Sequence, residues 1–599
     1  MSNKPLSDLE RIKTESNYLR GTLVESLADP ITGALAPDDQ QLIKFHGAYQ
    51  QTDRDFDEER RRQKLEPLIS FMIRVRVPGG VLTPKQWLDL DELTEKHCKP
   101  TLKLTTRQAV ELHGVVKRKM KTAMQGIHAT LLDSLAGCGD VNRNVMTSAN
   151  PWESPVHQLV FDDALKIHKE FTPRTTAYHE IWLDDELVVG GEKKEDHEPL
   201  YGKTYLPRKF KVAIAVPPRN DVDVFANDLG FIAIVENGEL VGYNLLAGGG
   251  MGSTFGMETT YPRLANVIGF VKKEDIVEAA KAVLIFQRDH GNRSERKFSR
   301  LKYTIDRLGL AYFNEQIKDA LGDKLSEARP FKFDSNGDKL GWSKGYNGKW
   351  YFTLFIQGGK VRDDKHLQLK TALREIASVL KGNFTLTGNQ NLVVGDIDEQ
   401  DKAEIEALLE KWNLVKPLSG LRRNNIACVA LPVCTMAFAE AERYAPSLID
   451  KLEKILEKYN LLDEDILFRM TGCPNGCARP FLGEIALVGK SPGKYNLYLG
   501  AGFTGERLNK LYAELVEEHE VIGLLTPIFE RFSKERLEGE RFGDFVIRKG
   551  YVQATTSGLD FHQNIKLAKF HDIKPVLPKK KQTLDSILFV KKDKKKKKK

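Results

Sequence analysis

One pattern restricts the fold of this chain more than any other: a strand, a Gly-Gly turn, a helix and a second strand occur twice in the same order. The first copy opens with FMIRVRV at 71–77 and turns at Gly79-Gly80. It continues as a helical stretch from Pro84 to about His97 and closes with TLKLTTRQAVELHG at 101–114. The second opens with WYFTLFIQGGKV at 350–361, turns at Gly358-Gly359, continues as a helix near 366–380 and closes with NFTLTGNQNLVVG at 383–395. Apolar alternation marks the outer segments as strands and the glycines mark the turns. Setting LTTRQAVEL (104–112) over LTGNQNLVV (386–394) aligns a leading Leu-Thr and then Gln108 with Gln390. Two matched strands around a matched turn point to an internal duplication, with chance likeness of two β-turn-α units as the alternative.

The surrounding chain suits a multi-domain globular protein. It has 599 residues, 41% of them hydrophobic and 29% charged, which excludes a fibrous or largely disordered chain. YLPRKFKVAIAVPP (205–218), FIAIVENGELVGYNLLAGGG (231–250) and a helical stretch at 273–290 predict a mixed α/β unit between the copies. Beyond the second copy, helices are expected near 435–458, 505–520 and 526–538, with a hairpin at 483–500. The first 70 residues are polar and predict an arm that packs on a body without forming a core.

Net charge misleads here. The formal +8 conceals a lysine-rich end: residues 572–599 carry 12 Lys and 3 Asp, so the remaining 571 residues sum to −1. A body this neutral does not suit specific nucleic-acid binding. The tail is expected to be disordered. No apolar run is long enough to span a membrane, and MSNKPLSDLERIKTESN has no apolar core for a secretory signal. With six cysteines in 599 residues the chain is no disulfide scaffold, and a reducing, cytoplasmic location is expected.

Four of those cysteines form a constellation. Cys428 and Cys434 are spaced Cys-x5-Cys, and after 38 residues Cys473 and Cys477 follow as Cys-x3-Cys. Four thiolates can hold a zinc ion or an iron–sulfur cluster. The wide spacings depart from the short Cys-x2-Cys turns of structural zinc and favour a bulkier cluster. Zinc and plain buried thiols stay open on spacing alone. Cys98 and Cys138 have no near partner and are expected to be buried bystanders. GGGMG at 248–252 lacks a strand-to-helix GxGxxG setting and is expected to be a loop.

CVALPVC and TGCPNGCARP resemble the cysteine motifs of the siroheme-dependent sulfite and nitrite reductases. Further stretches agree in order: ESNYLRGTL, FHGAYQQTDRD, RVRVPGGV, LTTRQAVELHG, DVNRNVMTSANP, TYLPRKFKVAI and QRDHGNRSERK. The likeness runs from about residue 8 to 550 and is strongest to the hemoprotein component of the assimilatory sulfite branch. It implies an α+β, three-domain siroheme reductase architecture built on an internally duplicated ferredoxin-like module. The expected boundaries are an arm at 1–70, half-modules at 71–135 and 341–415, a central α/β domain at 136–340, a cluster and siroheme domain at 416–550 and a disordered extension at 551–599.

The resemblance implies two cofactors, siroheme and a [4Fe-4S] cluster. Cys428, Cys434, Cys473 and Cys477 would hold the cluster, with Cys477 also bridging to the siroheme. Anion contacts fall on Arg74, Arg143, Lys209 and Lys211. Siroheme contacts fall on Thr105, Arg107, His113 and Asn142, since a cofactor with eight carboxylates needs cations and amides. Lys103 stands where the family favours arginine, which puts a bidentate contact there in doubt. Gln390 and Asn391 in the second repeat are expected to support the pocket from behind. The implied activity is six-electron reduction of sulfite to sulfide in sulfate assimilation and cysteine biosynthesis. No flavin or nicotinamide module is evident, so electrons would come from a separate NADPH-dependent flavoprotein or from ferredoxin. Nitrite reduction is the neighbouring alternative, and a zinc-stapled protein whose tail grips acidic partners is the alternative of a different class.

Overall fold

The computed structural model describes residues 5–178 and 198–570. The lysine-rich stretch 572–599 therefore lies outside the described residues. Among those described, the strands form four five-stranded sheets, two belonging to the repeats and two to the units that follow them.

Each repeat completes its sheet with a strand from the other. The first sheet runs Ala48–Thr52, Ile69–Val75, Val110–Val115, Leu102–Leu104 and then Lys360–Val361 from the second repeat. The second runs Gly341–Lys344, Trp350–Leu354, Leu392–Ile397, Asn383–Leu386 and then Val81–Leu82 from the first. The glycine pairs make this exchange possible. Gly80 and Gly359 have φ of +82° and +69°. A Cβ on Gly80 would lie 2.6 Å from the Leu386 carbonyl oxygen, and one on Gly359 would lie 2.3 Å from that of Leu104. The matched glutamines close the same junction: Gln108 Nε2 donates to Leu386 O at 2.9 Å, and Gln390 Nε2 reaches Leu104 O at 3.5 Å. Gly359→Ala is expected to cost about 2–4 kcal/mol, because positive φ and a backbone clash add. A wild-type urea midpoint for that variant would refute the close-approach argument.

The other two sheets share one topology. Met146–Thr147, Val212–Ala215 and Leu229–Glu236 pair in parallel, then Glu239–Ala247 and Asn266–Lys272 add antiparallel. In the later unit Asn425–Ala427, Phe468–Thr471 and Ile485–Ser491 pair in parallel, then Lys494–Leu499 and Lys510–Val516 add antiparallel. In both units a long helix links the first two strands, Pro155–Glu170 in one and Ala445–Lys458 in the other. The duplication thus extends beyond the repeats seen in the sequence.

Three expectations change. The helix expected at 505–520 is mainly the strand Lys510–Val516, followed by the helix Glu518–Glu535. Pairing with Lys494–Leu499 overrides the helix propensity of its Leu, Ala and Glu residues. The expected arm enters the core: Leu9, Ile12, Leu19, Leu23 and Leu42 join the cluster that underlies both repeats, and Ala48–Thr52 pairs antiparallel with Ile69–Val75. Residues 551–570, expected to be disordered, strap both later units. Phe561 packs 5.1 Å from Phe481 and 5.9 Å from Tyr498, and Lys510 Nζ donates to Asp560 O and Gln563 O. Isolated anchors such as Val552 and Phe561 were hidden by the polar residues around them.

Candidate cluster and anion site

The four cysteines converge because two of them follow neighbouring parallel strands. Cys428 comes directly after Asn425–Ala427, and Cys473 lies two residues past Phe468–Thr471. Parallel pairing sets these strand ends side by side, a usual place for a functional site. Turns then bring the partners back. Ala437 N donates to Cys434 O at 3.1 Å, and Arg479 N donates to Gly476 O at 3.0 Å. Gly476 has φ +68°, and a Cβ there would lie 2.8 Å from Met251 O. The GGGMG run is a loop as expected, yet it forms one wall of the site and Ser253 N donates to Pro474 O at 2.9 Å.

All six cysteines are free thiols. Burial, and then the charge of the other cysteines, pushes Cys434 up to about 11, Cys473 up to about 12 and Cys428 well above the ordinary thiol value. Such groups ionise only beside a strong positive centre. Gly472 N–H already donates to Cys428 Sγ at 3.4 Å, as amides do around cluster ligands. Among the described residues no three His, Cys, Asp or Glu side chains converge tightly enough for a single ion. Four thiols close enough to raise one another suit an iron–sulfur cluster.

Cys477 is exposed and opens on a solvent-connected pocket. Lys209, Lys211, Arg107, Arg300 and Arg479 line it together with Asn227 and the 475–477 loop. Lys209 and Lys211 alternate with buried Phe210 just before the strand Val212–Ala215, which aims both ammonium groups into the pocket. Among the described residues no hydrogen bond or ion pair engages either ammonium, and both side chains are partly buried in the pocket wall. Burial, reinforced by Arg208 and Arg300, lowers Lys209 to about 7. Burial, reinforced by Lys209, Arg107 and Arg300, carries Lys211 well below the ordinary lysine value. Two lysines crowded without a counter-charge call for an anionic occupant, and the cationic lining beside Cys477 fits a polycarboxylate tetrapyrrole.

The remaining expected residues fall into a supporting layer. Arg107 lines the pocket but spends its donors on Asn144 O, Val212 O and Asn227 Oδ1. Thr105 Oγ1 accepts the Arg107 and Ala109 amides, which shapes the turn. Arg143 donates to Gly137 O and Gly139 O, and Arg74 shares the Gly137 carbonyl. Arg74 also pairs with Glu111 at 2.6 Å and donates to Cys138 Sγ at 2.8 Å. His113 joins that pair: its Nε2 lies 3.3 Å from Glu111 Oε2, and Nδ1 lies 3.2 Å from Gln51 Oε1. None of these four lines the pocket described above. Asn142 is buried with its Oδ1 unpartnered.

Gln390 and Asn391 hold the repeat junction from behind. Gln390 Oε1 accepts Ala427 N at 3.1 Å, and Asn391 Oδ1 accepts Ile356 N at 2.9 Å. Lys103 donates to Glu442, as does Lys360 directly opposite it in the sheet. One carboxylate thus relieves two lysines that would otherwise repel. Arg300 and Arg479 were missed by residue reasoning. Their charges are balanced across the chain by Asp228 and Asp223, partners no local spacing reveals.

Comparison with known proteins follows the same outline. A family profile described as nitrite/sulfite reductase ferredoxin-like half domain matches residues 68–130 and 344–412, the two repeats. One described as nitrite and sulphite reductase 4Fe-4S domain matches 164–325, a stretch of the first parallel–antiparallel unit that contains no cysteine. Cys428, Cys434, Cys473 and Cys477 lie in the second unit of the same topology. Proteins named sulfite reductase [NADPH] hemoprotein beta-component are 56% identical in Shouchella clausii, over 93% of this chain and 98% of the relative. The counterpart of Geobacillus thermodenitrificans is 57% identical, with the same coverage of both chains. The solved NirA protein of Mycobacterium tuberculosis superposes with a TM-score of 0.73 at 25% identity, covering 91% of this chain and 97% of that one. Sequence identity at this level over nearly the whole chain, on two strand-exchanged repeats, places this protein in the nitrite and sulfite reductase family.

Proposed function

We propose that this chain is the hemoprotein component of an NADPH-dependent sulfite reductase, taking sulfite to sulfide. The carrying observation is the pocket where unpaired Lys209 and Lys211 face the exposed thiol Cys477. Cys428, Cys434, Cys473 and Cys477 would hold a [4Fe-4S] cluster, and the adjoining cations would hold siroheme. Bound there, these groups would supply electron storage and a metal site for the substrate. The chain's own part is electrostatic and protic. Lys209 and Lys211 attract the oxyanion, desolvate it and hold protons where oxygen must leave as water. Arg74 and Arg143 extend the positive field from behind, with Glu111 restraining Arg74.

The donor in this reading is a separate NADPH-dependent flavoprotein; the relatives' names specify NADPH and a beta-component. The six free thiols suit a reducing, cytoplasmic setting. Among the described residues no helix is long and apolar enough to cross a membrane.

A visible spectrum of the purified protein tests the reading. Intense siroheme bands, together with iron and acid-labile sulfide, are expected; a colourless protein would overturn it. Sulfite and nitrite kcat/KM with an artificial reductant should favour sulfite, and a clear nitrite preference would overturn the substrate assignment.

The lysine pair also predicts a pH dependence. Burial and the neighbouring cations lower Lys209 to about 7, and an anion binds better to its charged form. Siroheme affinity of the cofactor-free chain is therefore expected to fall as pH rises through about 7. Titration by absorbance between pH 6 and 8, the window this assignment sets at about one unit either side, checks it. An affinity flat or rising over that window would refute the role of Lys209.

A further inference from the structure

The segment between Cys428 and Glu442 carries two of the four cysteines, yet little of its own backbone is in regular structure. What fixes it comes from elsewhere in the chain. Arg54 follows the edge strand Ala48–Thr52, on a short turn begun by Asp53, whose side chain accepts Asp55 N. Its guanidinium donates to Ala437 O at 2.9 Å, to Thr435 O at 2.9 Å and to Cys434 O at 3.1 Å. Its own amide donates to Pro432 O at 3.4 Å. One residue near the N-terminus thus holds four carbonyls within the six residues 432–437. Among the described residues no carboxylate pairs with this guanidinium, so its charge is directed at the loop alone.

The next residue repeats the tether. Asp55 accepts from Arg443 Nη1 at 2.6 Å, at the far end of the same segment. The Cys428 side is held by different elements: Glu442 N donates to Cys428 O at 3.1 Å, and the Glu442 carboxylate lies between Lys103 and Lys360. The two cysteines of the first pair are therefore anchored independently.

We infer that Arg54 is a positioning residue for Cys434, fixing that corner of the cysteine set and favouring the reduced state of the cluster it would hold. The inference rests on the reading that the four cysteines hold a cluster. A planar guanidinium can serve three carbonyls at once, whereas an ammonium on a flexible stem cannot hold the same fan. Fixed positive charge near a centre that gains an electron stabilises the reduced form. Loss of the charge should lower the midpoint potential, and loss of the fan should loosen the loop.

The test uses the loaded full-length protein with Arg54→Ala and Arg54→Lys. Iron release to a chelator is expected to accelerate by about 10–100-fold in Arg54→Ala, as for removal of other partners that orient metal ligands. Its cluster potential, from an EPR-monitored reductive titration, is expected to fall. Arg54→Lys keeps the charge and should retain the potential while still releasing iron faster. Should Arg54→Ala fail to fold, Arg54→Lys alone decides, since wild-type iron release from it would overturn the inference. A lowered melting temperature with wild-type iron release and potential would also overturn it, because that is a purely structural role. A wild-type protein without iron and sulfide would instead overturn the cluster reading, and the inference with it.

Discussion

Cys477→Ser is expected to abolish sulfite turnover while leaving the fold intact. The thiol is the exposed member of the four and the one lining the pocket. Its backbone is held independently of sulfur: Thr106 Oγ1 donates to Cys477 O at 3.0 Å, and the loop is tied to residues 251–253. Serine keeps the shape and removes the soft thiolate on which iron ligation depends. The loss should be at least about 100-fold, beyond what removing a supporting partner of a ligand costs. Turnover with an artificial reductant, iron per chain and the visible spectrum check it together. Full turnover with an unchanged spectrum would show that Cys477 does not join the two cofactors.

Lys211→Met should move activity and stability in opposite directions. Methionine matches the aliphatic stem and removes a cation that burial and Lys209 press well below the ordinary lysine value. Such a group costs stability wherever the unfolded chain holds the proton and the folded chain resists it. That penalty is present at neutral pH and fades as pH rises past the unfolded lysine value of about 10.4. The melting temperature of the cofactor-free variant at pH 7 should therefore rise. Sulfite turnover should fall about 10²–10³-fold, the usual effect of removing one donor to a developing oxyanion. Wild-type turnover would count against the pocket, and a lower melting temperature would count against the unpaired state of Lys211.

The cysteine set was legible because its spacing lies along the chain, and Lys209 and Lys211 were legible because alternation sets them on one face. The repeats could be matched through Gly79-Gly80 and Gly358-Gly359. Their exchange of Val81–Leu82 for Lys360–Val361 could not, since nothing in either strand names its partner. The strand at Lys510–Val516 was mistaken for a helix because its propensity is helical and only sheet pairing makes it extended. Arg300 and Arg479 were missed although they line the pocket. A lone arginine has the same appearance on a solvated surface and in a site, and only Asp228 and Asp223 tell the two apart.

By itself the sequence determined the chemistry available: four soft ligands at cluster-like spacing, a paired cationic face, and a duplicated scaffold to carry them. The tertiary structure decided the arrangement. It set Cys428 and Cys473 at adjacent strand ends, left Lys209 and Lys211 without counter-charges, and brought Arg54 across to a loop 380 residues away. The division has a physical cause. Periodicity and turn chemistry are local and leave their mark in a short window, whereas charge compensation and strand exchange depend on which distant surfaces meet when the core is buried.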